Sequence, residues 1–298
     1  MGAKTAPTSR AKEPMRDVFV MKKCSGTLYK GTSKKTGRAY AMKAIAKRSL
    51  IGDAGSMPTL RFRRTIADSP FFTTLSSVYE SGSAVYLALN YLCSGTLFAH
   101  LRDEYSSRTP HSIALLYAAE MTLALESLDQ HGVDWELEPE NVLLDSNGHL
   151  TLSDFGVAKT RGQAVTEYSA PETLSNSSPD SFISAHSPYF WWLGCFIFHV
   201  SLGTSPFHGM DKAGMTTKIA TGAFRPEPKD MKRGHWIQSL VDSLLVIDPR
   251  ARLGARDGGF EAVKRHGYFG KVTKEIWAAV AEKGIPPQVF QGLQLVSL

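Results

Sequence analysis

A chain of 298 residues can build one two-lobed unit or two ordinary domains, with a core that needs no metal or disulfide staple. Its 43% hydrophobic and 21% charged residues exclude a disordered or fibrous protein, and Cys24, Cys93 and Cys195 are too scattered for a disulfide framework or zinc knuckle. The net charge of +6 is spread thinly, with only RFRR (61–64) and KKTGR (34–38) as short basic clusters, so a solvated surface is expected rather than a nucleic-acid interface.

The opening MGAKTAPTSRAKEP is polar, without the apolar centre of a secretory signal, and Gly2 is followed by Ala6 where a myristoylation motif wants Ser or Thr. From Val18 to about Leu89 short alternating strands are predicted. In YAMKAIAK (40–47), Ala41, Lys43 and Ile45 fall on one face and Tyr40, Met42 and Ala44 on the other. SAVYLAL (83–89) is a second apolar strand, and PTLRFRRTIAD has room for one short helix before Pro70. Beyond residue 95 helical spacing takes over. HSIALLYAAEMTLALESLDQHG has apolar positions at Ile113, Leu116, Leu123 and Leu128, with Thr109 as N-cap, Pro110 in the first turn and Gly132 as the stop. A hairpin is expected around Asn147 and Gly148, then helices after Pro188, over 235–246 and over 260–269. The stretch 187–207 has no Asp, Glu, Lys or Arg, yet Pro188, Gly203 and Pro206 cut it to roughly 14 helical residues, short of a bilayer. A buried core helix is the expectation there, with no membrane span.

Eight short motifs follow in order: AMK (41–43), SPFF (69–72), GTLFAHL (95–101), PENVLLD (139–145), DFG (154–156), EYSAPE (167–172), WLG (192–194) and DPRARLG (248–254). Each alone is weak, but together and at this spacing the chain resembles eukaryotic protein kinases, most closely the AGC group of Ser/Thr kinases, over about residues 16–285. The resemblance implies an α+β, bilobal protein-kinase-like fold. It divides the chain into a flexible segment 1–15, a kinase-like domain 16–269 and a truncated AGC-type tail 270–298. Within the domain, 16–89 forms a small β-rich N-lobe, 90–95 a hinge and 96–269 a larger helical C-lobe.

The same resemblance implies a nucleotide site. Lys43 matches the strand lysine that pairs with phosphates, and Asn141 and Asp154 match the two magnesium ligands, oxygen donors of the hard type that Mg²⁺ prefers. Leu28, Ala41 and Leu143 would sandwich the adenine ring, and the backbone from Asn90 to Leu92 would meet its edge.

Other positions depart from the family pattern. Glu136 stands at the proton acceptor's place with one methylene more, and Glu138 replaces a lysine near the transferring phosphoryl group. The glycine-rich loop reads Met21, Lys22, Lys23, Cys24, Ser25, Gly26, so only the third glycine remains. Lys23 is a candidate substitute cation there, with a solvated lysine as the default. Leu60 falls where a helix glutamate would orient Lys43, Arg64 and Asp134 disturb the column packed behind it, and Tyr189 replaces the aspartate that pins the catalytic loop. Trp135 replaces the arginine that receives an activation-loop phosphate, and Arg161 stands at the phosphoacceptor, although Thr160 and Thr166 are near. Thr96 and His199 replace two carboxylates that would read basic peptides, leaving Glu140. For His199 a core role with a backbone partner is the plainer reading. Glu172 and Arg252, paired in the family, are both present.

These changes favour a pseudokinase that binds ATP and Mg²⁺ weakly and acts through protein partners, and the scattered cysteines, read as reduced thiols, favour the cytoplasm, with the nucleus left open. The alternative is an active, atypical Ser/Thr kinase with Glu136 as base. Oligomeric state is not legible in the sequence.

Overall fold

Alternation within each of the short strands before residue 47 gives a sheet with two faces, and the chain uses both. The computed structural model describes residues 18–25, 28–47, 69–92, 94–105, 109–132, 137–153, 165–174, 187–208, 211–224, 235–255, 258–287 and 290. Two compact units result, one from Met1–Cys93 with Thr151–Ala158, the other from Ser94–Leu150 with Lys159–Leu298.

The first unit is an antiparallel sheet of β1 (Phe19–Ser25), β2 (Leu28–Ser33), β3 (Ala39–Ala46), β4 (Leu75–Glu80) and β5 (Ala84–Asn90), in the order β1-β2-β3-β5-β4. One face packs Phe19, Met42, Tyr79 and Ala88 with Met21, Tyr29, Tyr40 and Tyr86; the other packs Leu75, Leu87 and Leu89 with Ala41, Ile45, Val78 and Val85. Gly31 is required on the first face, because a Cβ there would lie 2.6 Å from the Met42 side chain. Leu152 adds to this unit: its N–H donates to Phe71 O at 2.7 Å and its carbonyl accepts from Thr73 N at 3.0 Å. The segment 48–68, where a short helix was expected, lies outside the described residues.

The second unit is helical. It contains α1 (Leu97–Tyr105), α2 (His111–Gln130), α3 (Ser187–Leu202), α4 (Lys212–Thr221), α5 (His235–Leu244), α6 (Gly259–Lys264) and α7 (Lys274–Ala281). Strands β6 (Val142–Leu144) and β7 (Leu150–Leu152) follow α2. Helix α2 starts one residue later than its sequence suggests. Pro110 is the cap, with an extended ψ of 138° and no side-chain cap bond, and Thr109 is buried before it. Its extended ψ places Pro110 outside the helix, while its carbonyl accepts the first helical bond, from Ala114 N at 3.0 Å. Helix α3 is the uncharged stretch. Nearly all of it is buried, with Trp191, Leu193, Cys195, Phe196, Ile197 and Val200 at 0% exposure, so its apolar character serves a protein core. No helix among the described residues is long and apolar enough to cross a membrane. Gly194 lets α3 meet α5, since a Cβ there would stand 2.8 Å from Leu245. Among the described cysteines, Cys24 is exposed, Cys195 buried, and both are free thiols; Cys93 lies outside the described residues.

Candidate functional site

In the first unit the register of the sheet decides which side chains share a face. Leu28 pairs with Lys43, Lys30 with Ala41, Lys22 with Lys30 and Val20 with Thr32. Directly opposed residues project to the same side, so Val20, Lys22, Leu28, Lys30, Ala41 and Lys43 form one surface. This surface mixes apolar side chains with lysines and is open along β1 and at the start of β2. Val20 and Leu28 are 60% and 41% exposed, and Lys30 stacks its ammonium 4.8 Å above the ring of Tyr91, itself 40% exposed. Three of the five exposed large apolar side chains among the described residues therefore gather at one face that also carries lysines. Such a combination suits a flat ring bearing anionic groups.

Lys23 pairs with Tyr29 and belongs to the opposite face, with Met21 and the aromatic core. The sequence singles out Lys23 as a substitute cation; the register assigns that side to its neighbour Lys22. A β-bulge between Lys23 and Ser25 follows, so the alternation of β1 does not extend simply into the turn. Asn90 is tied within the sheet: its N–H donates to Thr74 O at 3.1 Å and its Oδ1 accepts from Ser76 Oγ at 3.2 Å. Leu92 is half-buried at the end of this unit.

In the second unit Pro139–Asn141 forms one 3₁₀ turn, with Pro139 fixing its first residue and Asn141 N–H donating to Glu138 O at 2.9 Å. The turn brings two site side chains together. Asn141 Nδ2 donates to Glu138 Oε2 at 2.9 Å, which orients the amide so that its carbonyl oxygen, the atom a hard cation prefers, lies on the side away from that carboxylate. Leu143 is half-buried on β6, bridged to Thr96, and Leu144 N–H donates to Gly95 O at 3.1 Å. Glu136, Asp154, Leu60, Arg64, Asp134, Trp135, Thr160 and Arg161 lie outside the described residues.

Several departures have a local role. Tyr189 is 3% exposed and packs edge-on against Trp192, with ring centres 5.4 Å apart. Thr96 Oγ1 accepts from Ala99 N at 3.3 Å, fastening the start of α1. Thr166 Oγ1 accepts from Tyr168 N at 3.3 Å at the start of the EYSAPE segment. His199 takes a side-chain partner rather than the backbone one expected: Tyr168 Oη lies 2.5 Å from its Nδ1, and Phe98 stacks on its ring at 4.1 Å. Burial pushes the Tyr168 phenol pKa upward, so the hydroxyl stays protonated, and the tautomer of the ring sets which of the two atoms donates.

Burial, with a smaller push from His208, holds the His199 pKa down to about 4. The unfolded histidine titrates near 6.5, so between those values the unfolded chain binds more protons and stability falls as pH is lowered. Acidification from pH 7 to pH 4.5 should cost up to about 3 kcal/mol through this ring. Urea melts at the two pH values check this; a His199→Gln variant with an undiminished pH dependence would refute it.

The protein kinase domain profile matches residues 24–269. The chain belongs to the protein kinase domain family. Its relatives place it on the AGC-like side. The serine/threonine-protein kinase SCH9 of Candida albicans is 34% identical over 277 residues, covering 88% of this chain and 34% of the relative. SCH9 of Saccharomyces cerevisiae is 34% identical over 275 residues, covering 88% and 32%. Ribosomal protein S6 kinase alpha-4 of Mus musculus is 30% identical over 299 residues, covering 93% and 36%. The chain thus spans about a third of the length of these curated relatives. The sheet of the first unit and the helices of the second fit the bilobal kinase fold. Protein kinases as a family use ATP and Mg²⁺.

Within this kinase domain, Arg252 is held from several sides. Its Nη1 and Nη2 donate to the two carboxylate oxygens of Glu172, each at 2.7 Å, its Nε donates to Val246 O at 2.8 Å, and its guanidinium lies 5.1 Å from the centre of the Trp191 ring.

Proposed function

We propose that this AGC-like Ser/Thr kinase domain binds ATP with Mg²⁺ weakly, transfers phosphate poorly or not at all, and acts through contacts with other proteins. One observation carries the reading: the Glu138 carboxylate is seated on the amide of Asn141, 2.9 Å from its Nδ2. An anion is thereby fixed beside an intended metal ligand, where the resemblance calls for a cation. Magnesium and ATP fit the remaining donors. Asn141 and Asp154 would hold the metal, which supplies charge neutralisation at the phosphates. Leu28, Ala41 and Leu143 would contact the adenine, Asn90 and Leu92 its edge, and Lys43 and Lys22 the phosphates. A cytoplasmic setting and a protein partner accord with the thiols and with serine/threonine-protein kinases as relatives.

A second reading keeps an active kinase with Glu136 as the base. Its support is that SCH9 and S6 kinase alpha-4 are themselves named as kinases.

Nucleotide binding is tested by thermal melting with and without Mg²⁺ and millimolar ATP, because a ligand that favours the folded state raises Tm. Wild type and Lys23→Gln should shift alike, whereas Lys43→Met and Lys22→Gln should lose most of the shift. No shift in wild type refutes nucleotide binding. Radiolabel transfer onto generic basic and acidic protein substrates decides between the two readings: Mg²⁺-dependent incorporation that vanishes in Asp154→Ala would favour the active kinase.

A further inference from the structure

Residues 270–287 and Phe290 lie beyond the stretch matched by the kinase domain profile, yet they belong to the second unit. Val280 and Phe290 are 1% and 0% exposed, and Trp277 rests against Phe269 with ring centres 5.2 Å apart. The ammonium of Lys264, which bonds Glu126 of α2 at 2.7 Å, lies 5.8 Å from the Trp277 ring centre. Helix α7 is therefore anchored to both α2 and α6.

Immediately after α7 the chain turns sharply. Lys283 has φ 54°, the one positive value at a non-glycine residue among those described, while Gly284 N–H returns to Ala279 O at 2.8 Å. A left-handed lysine costs about 1 kcal/mol, and glycine would adopt this conformation without that cost. What lysine adds is its side chain. Its Nζ reaches Asp145 Oδ2 at 3.0 Å, with the two side chains only 10% and 22% exposed. Four residues on, Pro287 meets the turn between β6 and β7, its Cγ 3.4 Å from where a Cβ on Gly148 would stand.

That turn is gripped from the other side by α2. Tyr117 Oη donates to Gly148 O at 3.0 Å, and buried Glu120 accepts from Leu150 N at 2.8 Å and pairs with His149 Nδ1 at 2.5 Å. Asp145 itself accepts from Asn147 N at 2.9 Å and His149 N at 3.0 Å. Burial alone would raise the Asp145 pKa, but the charge and hydrogen bond of Lys283, with these two N–H groups, bring it below the ordinary aspartate value. Asp145 immediately follows β6, which carries Leu143 and begins directly after Asn141.

We infer that residues 271–287 form a brace for the segment that carries Asn141 and Leu143, with Lys283 as a positioning residue that pins the β6–β7 turn through Asp145. The brace stands on the contacts above; its consequence for ligand rests on the proposed nucleotide reading. Without the ammonium, Asp145 keeps only its local N–H donors, and the β6–β7 turn keeps only the Pro287 contact to the segment that follows α7.

The test uses the full chain, amide hydrogen exchange resolved to peptides, and thermal melting with and without Mg²⁺ and ATP. Lys283→Met removes the charge. Lys283→Gly removes the side chain while relieving the backbone, so any loss it causes belongs to the ammonium. Both should speed exchange over 142–150 at least tenfold, leave α3 protected as in wild type, and halve or abolish the ATP-dependent Tm shift measured from each variant's own unliganded value. Lys283→Arg should restore both readouts. Unchanged exchange over 142–150, or an equal rise throughout α3, overturns the inference. If wild type shows no ATP shift while the Met and Gly variants still release the turn selectively, the brace holds and the nucleotide reading fails.

Discussion

Glu138→Lys combined with Glu136→Asp should raise phosphate transfer from its wild-type level by a factor on the order of 10³, because the double change reverses the charge at one position and restores the acceptor's length at the other. Two unit charges about 5 Å apart at an effective dielectric near 20 interact by roughly 3 kcal/mol, so exchanging repulsion for attraction at the moving phosphoryl group is worth several kcal/mol. Geometry complicates the simple swap. Glu138 also accepts a hydrogen bond from Asn141, and a lysine there cannot accept one. Glu138→Gln keeps an acceptor oxygen and removes only the charge, so it should recover a smaller gain, about tenfold to a hundredfold. Radiolabel transfer at saturating Mg²⁺ and ATP measures all three proteins. A Gln variant no faster than wild type would sink the electrostatic account, as would a wild type already turning over at about 1–100 s⁻¹, the ordinary kinase range.

Arg252→Met should destabilise the second unit by about 3–5 kcal/mol, and Glu172→Gln should approach that loss, since each leaves a buried partner uncompensated. The size follows from the site. The arginine side chain is 0% exposed and the glutamate 12%, their contact is bidentate, and Val246 O and the Trp191 ring complete the surroundings of the guanidinium. Water cannot replace what is removed. Replacing both partners together, Glu172→Leu with Arg252→Met, should cost less than either single change, because no charge is then stranded. Urea unfolding followed by tryptophan fluorescence reads this directly, with Trp191 beside the guanidinium. A single variant within about 1 kcal/mol of wild type would show that the pair is solvated and that its burial is not decisive.

These two sites also differ in how far they could be read from the chain alone. Glu172 and Arg252 are 80 residues apart, but each sits in a recognisable motif, and the structure joins them with two bonds of 2.7 Å. The Glu138–Asn141 bond spans only three positions, yet nothing in the spacing announces it. It depends on Pro139 starting a 3₁₀ turn whose tightness folds one side chain back onto the other.

Local periodicity determined a good deal by itself. Alternation put Ala41, Lys43 and Ile45 together on β3, Asn147 and Gly148 marked the tight turn, and the uncharged run was recognisable as a core helix because proline and glycine interrupt it. Each of these signals is carried by neighbours in sequence, where turn chemistry and side-chain period act. Tertiary structure decided the rest. Which of two adjacent lysines, Lys22 or Lys23, shares the face of Lys43 is set by the pairing of β1 with β2, where a slip of one residue would exchange them. The partnership of His199 with Tyr168 and that of Lys283 with Asp145 join residues 31 and 138 positions apart. A hydrogen bond or ion pair at such range is written in no local pattern; it exists only once packed helices have excluded the water that would otherwise satisfy the same groups.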